Sequence, residues 1–122
     1  MSADADFDAT FAALKSILVK YAPKLTVVTD KPGSYYLDGR YSEQHKKTIF
    51  FGAVRIRKNY VSFHLMPVYG CPPLVEGLSD GLKKRMQGKS CFNFKTIKPG
   101  QVKELKALTK RGFEVFKKLG WV

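Results

Sequence analysis

Residues 88–90 read Gly-Lys-Ser, which is how the loop that wraps nucleotide phosphates ends in many enzymes. That loop needs another glycine five residues earlier, so that backbone N–H groups can surround the phosphates, and a helix must follow it. Position 83 is Lys, and the residues after Ser90 alternate like a strand. The sequence therefore excludes this phosphate loop, and we expect Gly88 to end a short helix instead.

The two cysteines and two histidines are the other side chains that could carry chemistry. Cys71 and Cys91 lack the spacing of a zinc site, so we expect no metal and two reduced thiols. His45 lies in a polar loop. His64, the only plausible base for a cysteine, lies within a predicted strand, where a structural role is expected. The pattern predicts a chain that is not an enzyme and has no cofactor, with a pocket around His64, Tyr69 and Cys71 as an alternative.

The charge of the chain is strongly positive and unevenly distributed. The net charge is +12, yet the first 30 residues contain three Lys and four Asp. The remaining chain therefore carries the whole excess, which would attract polyanions such as nucleic acid, acidic proteins or anionic lipid. Because the sequence has neither a basic leader nor an apolar run of roughly 20 residues, we expect a cytoplasmic chain that does not enter the membrane.

Helical spacing of apolar residues marks both ends of the chain. One apolar stripe consists of Phe7, Phe11, Leu14, Leu18 and Tyr21. A second helix is predicted to begin near Pro99 and to end at Gly120. Its apolar side would consist of Val102, Leu105, Thr109, Phe113, Phe116 and Leu119. A short helix over residues 80–86, capped by Ser79, is predicted between them.

Alternating and β-branched residues predict strands at 25–29, 34–37, 49–57, 60–66 and 91–95. The strands over 49–57 and 60–66 are separated by Lys58-Asn59 and form the clearest hairpin. This order predicts one domain over residues 1–122 with an α+β fold. We expect an antiparallel sheet of about five strands, with the N- and C-terminal helices packed on one of its faces.

Strict alternation assigns the side chains of the central hairpin to two faces. The apolar face would hold Phe50, Val54, Ile56, Val61, Phe63 and Leu65. The mixed face would hold Phe51, Arg55, Arg57, Tyr60, Ser62, His64 and Met66. Aromatic rings beside cations can stack bases and neutralise phosphates, although long basic side chains also simply cover apolar surface. The candidate binding residues are Arg55, Arg57, Tyr60, His64, Lys84 and Lys89.

Two strings in the second half of the chain resemble the YdhG-like family of small bacterial domains. They are YVSFHLMPVY at residues 60–69 and GKSCFNFK at residues 88–95, and the likeness extends from about Phe7 to the C-terminus. The resemblance implies an antiparallel sheet backed by helices, in a group with YjbR-like and secretion-chaperone-like domains. It attaches no catalytic residues. Some members are similar to frataxin in their proposed role as iron chaperones, for which this chain offers Asp4, Asp6 and Asp8.

Three functions follow from these observations as expectations. The first is a non-enzymatic binding module that holds an unknown, polyanionic macromolecular partner on its mixed face or its basic short helix. The alternatives are a frataxin-like iron chaperone and a nucleic-acid-binding protein. Since aromatic residues and Arg are enriched in protein interfaces, the mixed face could also form a homodimer.

Overall fold

The computed structural model describes residues 3–70, 72–88 and 90–122, and it has the predicted α+β fold. The helices are α1 (Ala3–Val19), α2 (Met66–Gly70), α3 (Asp80–Lys83) and α4 (Pro99–Lys118), with 3₁₀ turns at Ala22–Lys24 and Pro72–Val75. The strands are β1 (Thr26–Lys31), β2 (Ser34–Ser42), β3 (Lys47–Ile56), β4 (Val61–Leu65), β5 (Met86–Gln87) and β6 (Cys91–Phe94). They form one antiparallel sheet of six strands in the order β1-β2-β3-β4-β6-β5.

The core lies between the two long helices and one face of this sheet. Helix α1 packs on β3, β4 and α4. Phe7 and Phe116 belong to the same buried cluster as Phe63 and Leu65, as the sequence predicted. Phe92 and Phe94 of β6 are also fully buried, so the apolar face extends across the later strands. Burial of apolar surface on this side is the main force that holds the helices against the sheet.

The two phenylalanines of β3 occupy the faces opposite to those predicted. Phe51 is fully buried in the core, whereas Phe50 is half-buried on the other face. The cause is a β-bulge: Leu37 pairs with Gly52 and Asp38 pairs with Phe50, which leaves Phe51 as an extra residue in β3. A bulge shifts the alternation by one residue. The assignment of Phe51 to the mixed face was therefore wrong, and Phe50 takes that place. The assignment of Met66 to that face was also wrong, because β4 ends at Leu65 and Met66 begins α2.

Two local predictions about the second half of the chain were also wrong. The short helix α3 is capped by the Ser79 side chain, which accepts a hydrogen bond from the N–H of Leu82, but it ends at Lys83 rather than at residue 86. Met86 and Gln87 form β5 instead, and they pair with β6 at the edge of the sheet. Gly88, with a φ of 79°, thus follows a strand and not a helix. A positive φ suits glycine in either place.

Helix α4 covers the sheet nearly as predicted. Leu105, Thr109, Phe113 and Phe116 are buried, and Gly120 follows the helix with a φ of 78°. Leu119, however, is 54% exposed, because it caps the helix beyond the buried stretch. No helix in the described part of the chain combines the length and the apolar character needed to cross a bilayer.

Candidate functional site

The face of the sheet away from α1 and α4 carries a concave site, which we call the sheet-face cavity. Its volume is about 340 Å³, and side chains of β2 to β6 and of the β3–β4 turn contribute to it. Its lining consists of Tyr36, Phe50, Ala53, Arg55, Arg57, Tyr60, Ser62, His64, Gln87, Cys91 and Asn93. All of these residues except Ala53 are half-buried or exposed, so the cavity is open to solvent.

The register of the strands explains the shape of the cavity. Ala53 pairs with Tyr36 on one side and with His64 on the other, and His64 in turn pairs with Cys91. Residues paired across antiparallel strands lie side by side on one face. The methyl group of Ala53 therefore forms a low floor between two rings. In the neighbouring row of paired residues, Ser62 lies between Arg55 and Asn93. Its small side chain likewise leaves the floor of the cavity low.

Two arginines give the cavity its charge. The guanidinium of Arg55 lies 5.7 Å from the centre of the Tyr36 ring, in a cation–π arrangement. Arg57 follows β3, and its backbone N–H donates a 2.7 Å hydrogen bond to the backbone carbonyl of Tyr60 across the hairpin turn. In the described part of the chain, the only ion pair joins Lys15 to Asp30. Both guanidinium groups thus have hydrogen-bonding capacity left for an anion.

Aromatic rings form much of the remaining wall. The rings of Tyr36 and Phe50 are 4.6 Å apart, and the edge of His64 meets Phe50 at 4.8 Å. Burial and the nearby charge of Asp38 raise the pKa of Tyr36, so its hydroxyl stays protonated at neutral pH. Tyr60 lies half-buried at the turn beside Arg57. The cavity therefore combines flat apolar surfaces with positive charge, which suits a planar anionic group.

His64 has the partner that a structural histidine needs. Its Nε2 lies 2.7 Å from Oγ of Ser90, a buried residue. Burial, and secondly the positive charge of Arg55, lower the pKa of His64 below its usual 6.5. The imidazole is therefore neutral at pH 7. A neutral ring bonded to a serine can position its neighbours and accept or donate one hydrogen bond, but it does not add charge.

Cys91 lies beside His64 in the adjacent strand, and its environment keeps the thiol protonated. Burial raises the pKa of Cys91, and the hydroxyls of Ser62 and Ser90 and the charge of Arg57 offset this only in part. A thiol becomes a strong nucleophile when its pKa falls, which is the opposite of what this site does. Cys91 forms no disulfide, while Cys71 lies outside the described residues.

The structure brings four of the six candidate binding residues together. Arg55, Arg57, Tyr60 and His64 all line the sheet-face cavity. Lys84 is exposed at the C-terminus of α3 and does not line it, and Lys89 lies outside the described residues.

The alternative pocket around His64, Tyr69 and Cys71 stays a prediction, because Cys71 lies outside the described residues. Tyr69 lines a different hollow, near the C-terminus of the chain. Sequence reasoning missed Tyr36 and Asn93, although their places in alternating strands could have identified both.

The aspartates considered for iron remain untested. Asp8 is exposed on α1, while the side chains of Asp4 and Asp6 lie outside the described part of the structure. Among the described residues, no three His, Cys, Asp or Glu side chains converge as metal ligands would. The iron-chaperone role therefore stays a prediction from the resemblance alone.

A second group of cations lies on the helical side of the molecule. We call Lys20, Lys24, Arg40, Lys106, Lys110 and Lys117 the helix-side cations. Lys20, Lys106 and Lys110 border one hollow between α1 and α4. The other three members border a neighbouring hollow at the C-terminus. All six are exposed, so much of the positive charge faces away from the sheet-face cavity.

Comparison of the chain with protein-family models, with curated proteins and with solved structures finds no match. The resemblance to YdhG-like domains therefore stays a prediction. The class of protein that the fold and the site define is an α+β domain with an open, basic and aromatic cavity on its sheet.

Proposed function

We propose that the chain is a non-enzymatic binding module that uses the sheet-face cavity to hold a partner's planar anionic group. The observation that carries the proposal is the pairing of Arg55 and Arg57 with the rings of Tyr36, Phe50 and Tyr60 around one concave surface. Guanidinium groups bind phosphates and carboxylates in a fixed geometry, and aromatic faces stack on planar rings. One nucleotide unit of a larger polyanion has both features.

The volume of the cavity favours a small group rather than a flat protein surface. About 340 Å³ is near the lower end of the range for ligand sites, roughly 300–1,000 Å³. A single ring with its anionic substituent would occupy such a space, while the rest of a macromolecular partner could extend over the open edge. Binding alone also fits the neutral His64 and the protonated Cys91, neither of which is poised to transfer a proton or attack a substrate.

A homodimer through this face is the less favourable use of the site. Two copies meeting face to face would bring the guanidinium groups of Arg55 and Arg57 toward their equivalents, and like charges repel unless an anion lies between them. Sedimentation at low and high salt tests this point. We expect a monomer at low salt, and a stable dimer there that persists in Leu119→Gln and excludes adenosine 5′-monophosphate would contradict the proposed use of the cavity.

Titration with adenosine 5′-monophosphate tests the main proposal. We expect saturable binding that is stronger than that of adenosine or of inorganic phosphate, because each of these lacks half of the recognised features. Replacing Arg57 with Gln removes a charged hydrogen bond of about 1.5–3 kcal/mol, which corresponds to a loss of affinity of roughly tenfold or more. Lys58→Gln is the matched control, since Lys58 is the adjacent exposed cation and does not line the cavity. Equal losses in both variants would reject the site.

A second candidate function is binding of a nucleic-acid backbone by the helix-side cations. The supporting observation is the convergence of Lys20, Lys106 and Lys110 on one hollow, with no ion pair to a carboxylate among the described residues. Each lysine that contacts a duplex phosphate adds about one to the slope of log affinity against log salt.

Mobility-shift assays on duplex DNA at several salt concentrations measure this slope. The double variant Lys106→Gln/Lys110→Gln should reduce it by about two. Lys83→Gln/Lys84→Gln on α3 should leave it unchanged. A slope that falls in Lys83→Gln/Lys84→Gln and stays unchanged in Lys106→Gln/Lys110→Gln would assign the contacts to the short helix α3. It would contradict a role for the helix-side cations.

A further inference from the structure

We infer that a second, apolar hollow binds a small amphipathic carboxylate, a ligand with one anionic end and a short hydrocarbon tail. The hollow has a volume of about 280 Å³ and lies where the start of β3, α2 and the end of α4 meet. We call it the C-terminal groove. The proposal goes beyond the function proposed above, and it does not depend on Arg55 or Arg57.

The walls of the groove consist mostly of hydrocarbon and aromatic surface. Ile49, Met66, Val115, Leu119 and Trp121 line it, one or more from each surrounding element. Leu119 is 54% exposed, so the groove presents apolar surface to water. Exposed apolar surface that is concave and contiguous is a mark of a binding site, because covering it with a ligand's apolar part releases water.

Trp121 is held in a fixed position and so makes the groove a preformed site. Its N–H donates a 2.9 Å hydrogen bond to the carbonyl of Phe116, and its own carbonyl accepts a 2.6 Å hydrogen bond from the N–H of Arg40. The edge of its ring packs on Phe116 at 5.1 Å. A wall fixed before the ligand arrives reduces the entropy lost on binding.

The absence of a side chain at Gly39 permits this arrangement. A Cβ at that position would lie only 2.5 Å from the carbonyl oxygen of Trp121. The C-terminal segment can therefore approach β2 closely only because this residue is a glycine.

Positive and hydrogen-bonding groups mark one end of the groove, and they identify the chemistry of the ligand. His45 and Lys47 line this end, and both are exposed. Nδ1 of His45 lies 3.1 Å from Oγ of Ser42, and the ring meets the edge of Trp121 at 5.6 Å. The other ring nitrogen, Nε2, has no hydrogen-bond partner among the described residues and so can bond to a ligand. The turn over residues 42–47 holds two lysines and one glutamate, so its charge favours an anion.

The dimensions of the groove favour a small molecule over a protein segment. A volume of about 280 Å³ is just below the usual range for ligand pockets, which suits a short chain or a single ring. A carboxylate matches the positive end, and a hydrocarbon tail matches the walls. Phe50 lines both this groove and the sheet-face cavity, so substitutions of Phe50 cannot separate the two sites.

Straight-chain carboxylates provide the direct test, and the fluorescence of Trp121 provides the readout. Trp121 is the single tryptophan of the chain and lines the groove, so a change in its emission on adding ligand reports on the surroundings of this residue. We expect butanoate, hexanoate and octanoate to bind with affinity rising about two- to fourfold per methylene, since the groove is partly open and a fully buried methylene contributes about fourfold. Hexan-1-ol should bind more weakly than hexanoate, and Lys47→Gln should narrow that difference.

A matched pair of substitutions locates the binding. Leu119→Gln introduces a polar group into the groove and should weaken octanoate binding at least several-fold. Val28→Gln is the control, because Val28 is also 54% exposed but lies on the edge strand β1. The adenosine monophosphate titration of the same variants should remain unchanged, which separates a failure here from a failure of the sheet-face proposal.

Three results would overturn the inference. The first is an affinity that does not depend on chain length, and the second is an equal loss in the Leu119 and Val28 variants. The third is a wild-type dimer in sedimentation that Leu119→Gln converts to monomer while no carboxylate changes Trp121 emission. In that case a second copy of the chain, and not a small carboxylate, would occupy the groove.

Discussion

Replacing Phe50 or Phe51 with alanine distinguishes the two faces of the sheet, because the two residues are adjacent and chemically identical. Phe51 has no exposed surface, and its ring centre lies 5.4 Å from that of Phe116 and 5.9 Å from that of Phe113. Truncating a buried phenylalanine costs about 3–5 kcal/mol of unfolding free energy. Phe50 is half-buried on the open face, so its truncation should cost about 1 kcal/mol, roughly half the transfer free energy of a fully buried side chain.

Urea denaturation followed by circular dichroism measures this difference of about 2 kcal/mol or more. With a urea m-value of about 1–3 kcal/mol/M for a small domain, the midpoint of Phe51→Ala should lie about 0.7 M or more below that of Phe50→Ala. Because small domains have only about 5–15 kcal/mol of stability, Phe51→Leu and Phe50→Leu form a milder second pair with the same expected order. If the Phe50 variants are the less stable ones, β3 has no bulge and the described cavity does not exist.

Three further substitutions and reagents test the surroundings of the two sites. Gly39→Ala should lower the unfolding free energy by about 1–3 kcal/mol and shift Trp121 emission, because the new methyl group would displace the Trp121 carbonyl. An unchanged urea midpoint would contradict the close approach of the Trp121 carbonyl to Gly39. The pKa of His64 is lowered in the folded state, so the unfolded chain binds more protons than the folded chain just below pH 6.5. The unfolding free energy should therefore fall as the pH drops from 6.5 toward the folded pKa. Urea titrations at several pH values should show this fall in the wild type and not in His64→Gln. Because burial raises the pKa of the Cys91 thiol, iodoacetamide should alkylate Cys91 more slowly in the folded than in the urea-unfolded chain at pH 8. Mass spectrometry of the peptide that contains Cys91 measures both rates. Equal rates would contradict the buried environment of this thiol.

The long elements were predictable because their periodicity extends over many residues. The stripe from Phe7 to Tyr21 and the buried side of α4 are each repeated over several turns, so single exceptions such as Leu119 do not obscure the helix. The hairpin of β3 and β4 also carries a strong local signal. Its strands were therefore predicted to within about two residues of the observed bounds.

The structural features that were predicted wrongly depend on strand pairing between segments that are distant in sequence. The bulge at Phe51 arises from the pairing of β3 with Leu37 and Asp38 of β2, which alternation within β3 cannot reveal. The strand β5 has only two residues and exists because β6 pairs with it. Gly88 gives the same local signal at a helix end and in a turn between strands.

The candidate site was predictable in part for the same reasons. Four candidate residues lie on the regular half of one hairpin, and alternation predicted that they share one face, namely Arg55, Arg57, Tyr60 and His64. Phe50 was missed because of the bulge. Tyr36 was missed because the alternation of β2 was not extended to its pairing with the central hairpin. The C-terminal groove joins β3, α2 and the residues after α4, and no local pattern indicates that these segments meet.

Chemical-shift mapping with adenosine 5′-monophosphate tests the use of the open sheet face most directly. In ¹⁵N-labelled protein, the amides that shift with saturation should cluster in β3, β4 and β6 around Arg55, Ser62 and Asn93, and Arg57→Gln should abolish most of the shifts. Saturable shifts that cluster instead on α1 and α4, and that persist in Arg57→Gln, would show that the partner binds the helical side and that the sheet-face cavity is not the binding site.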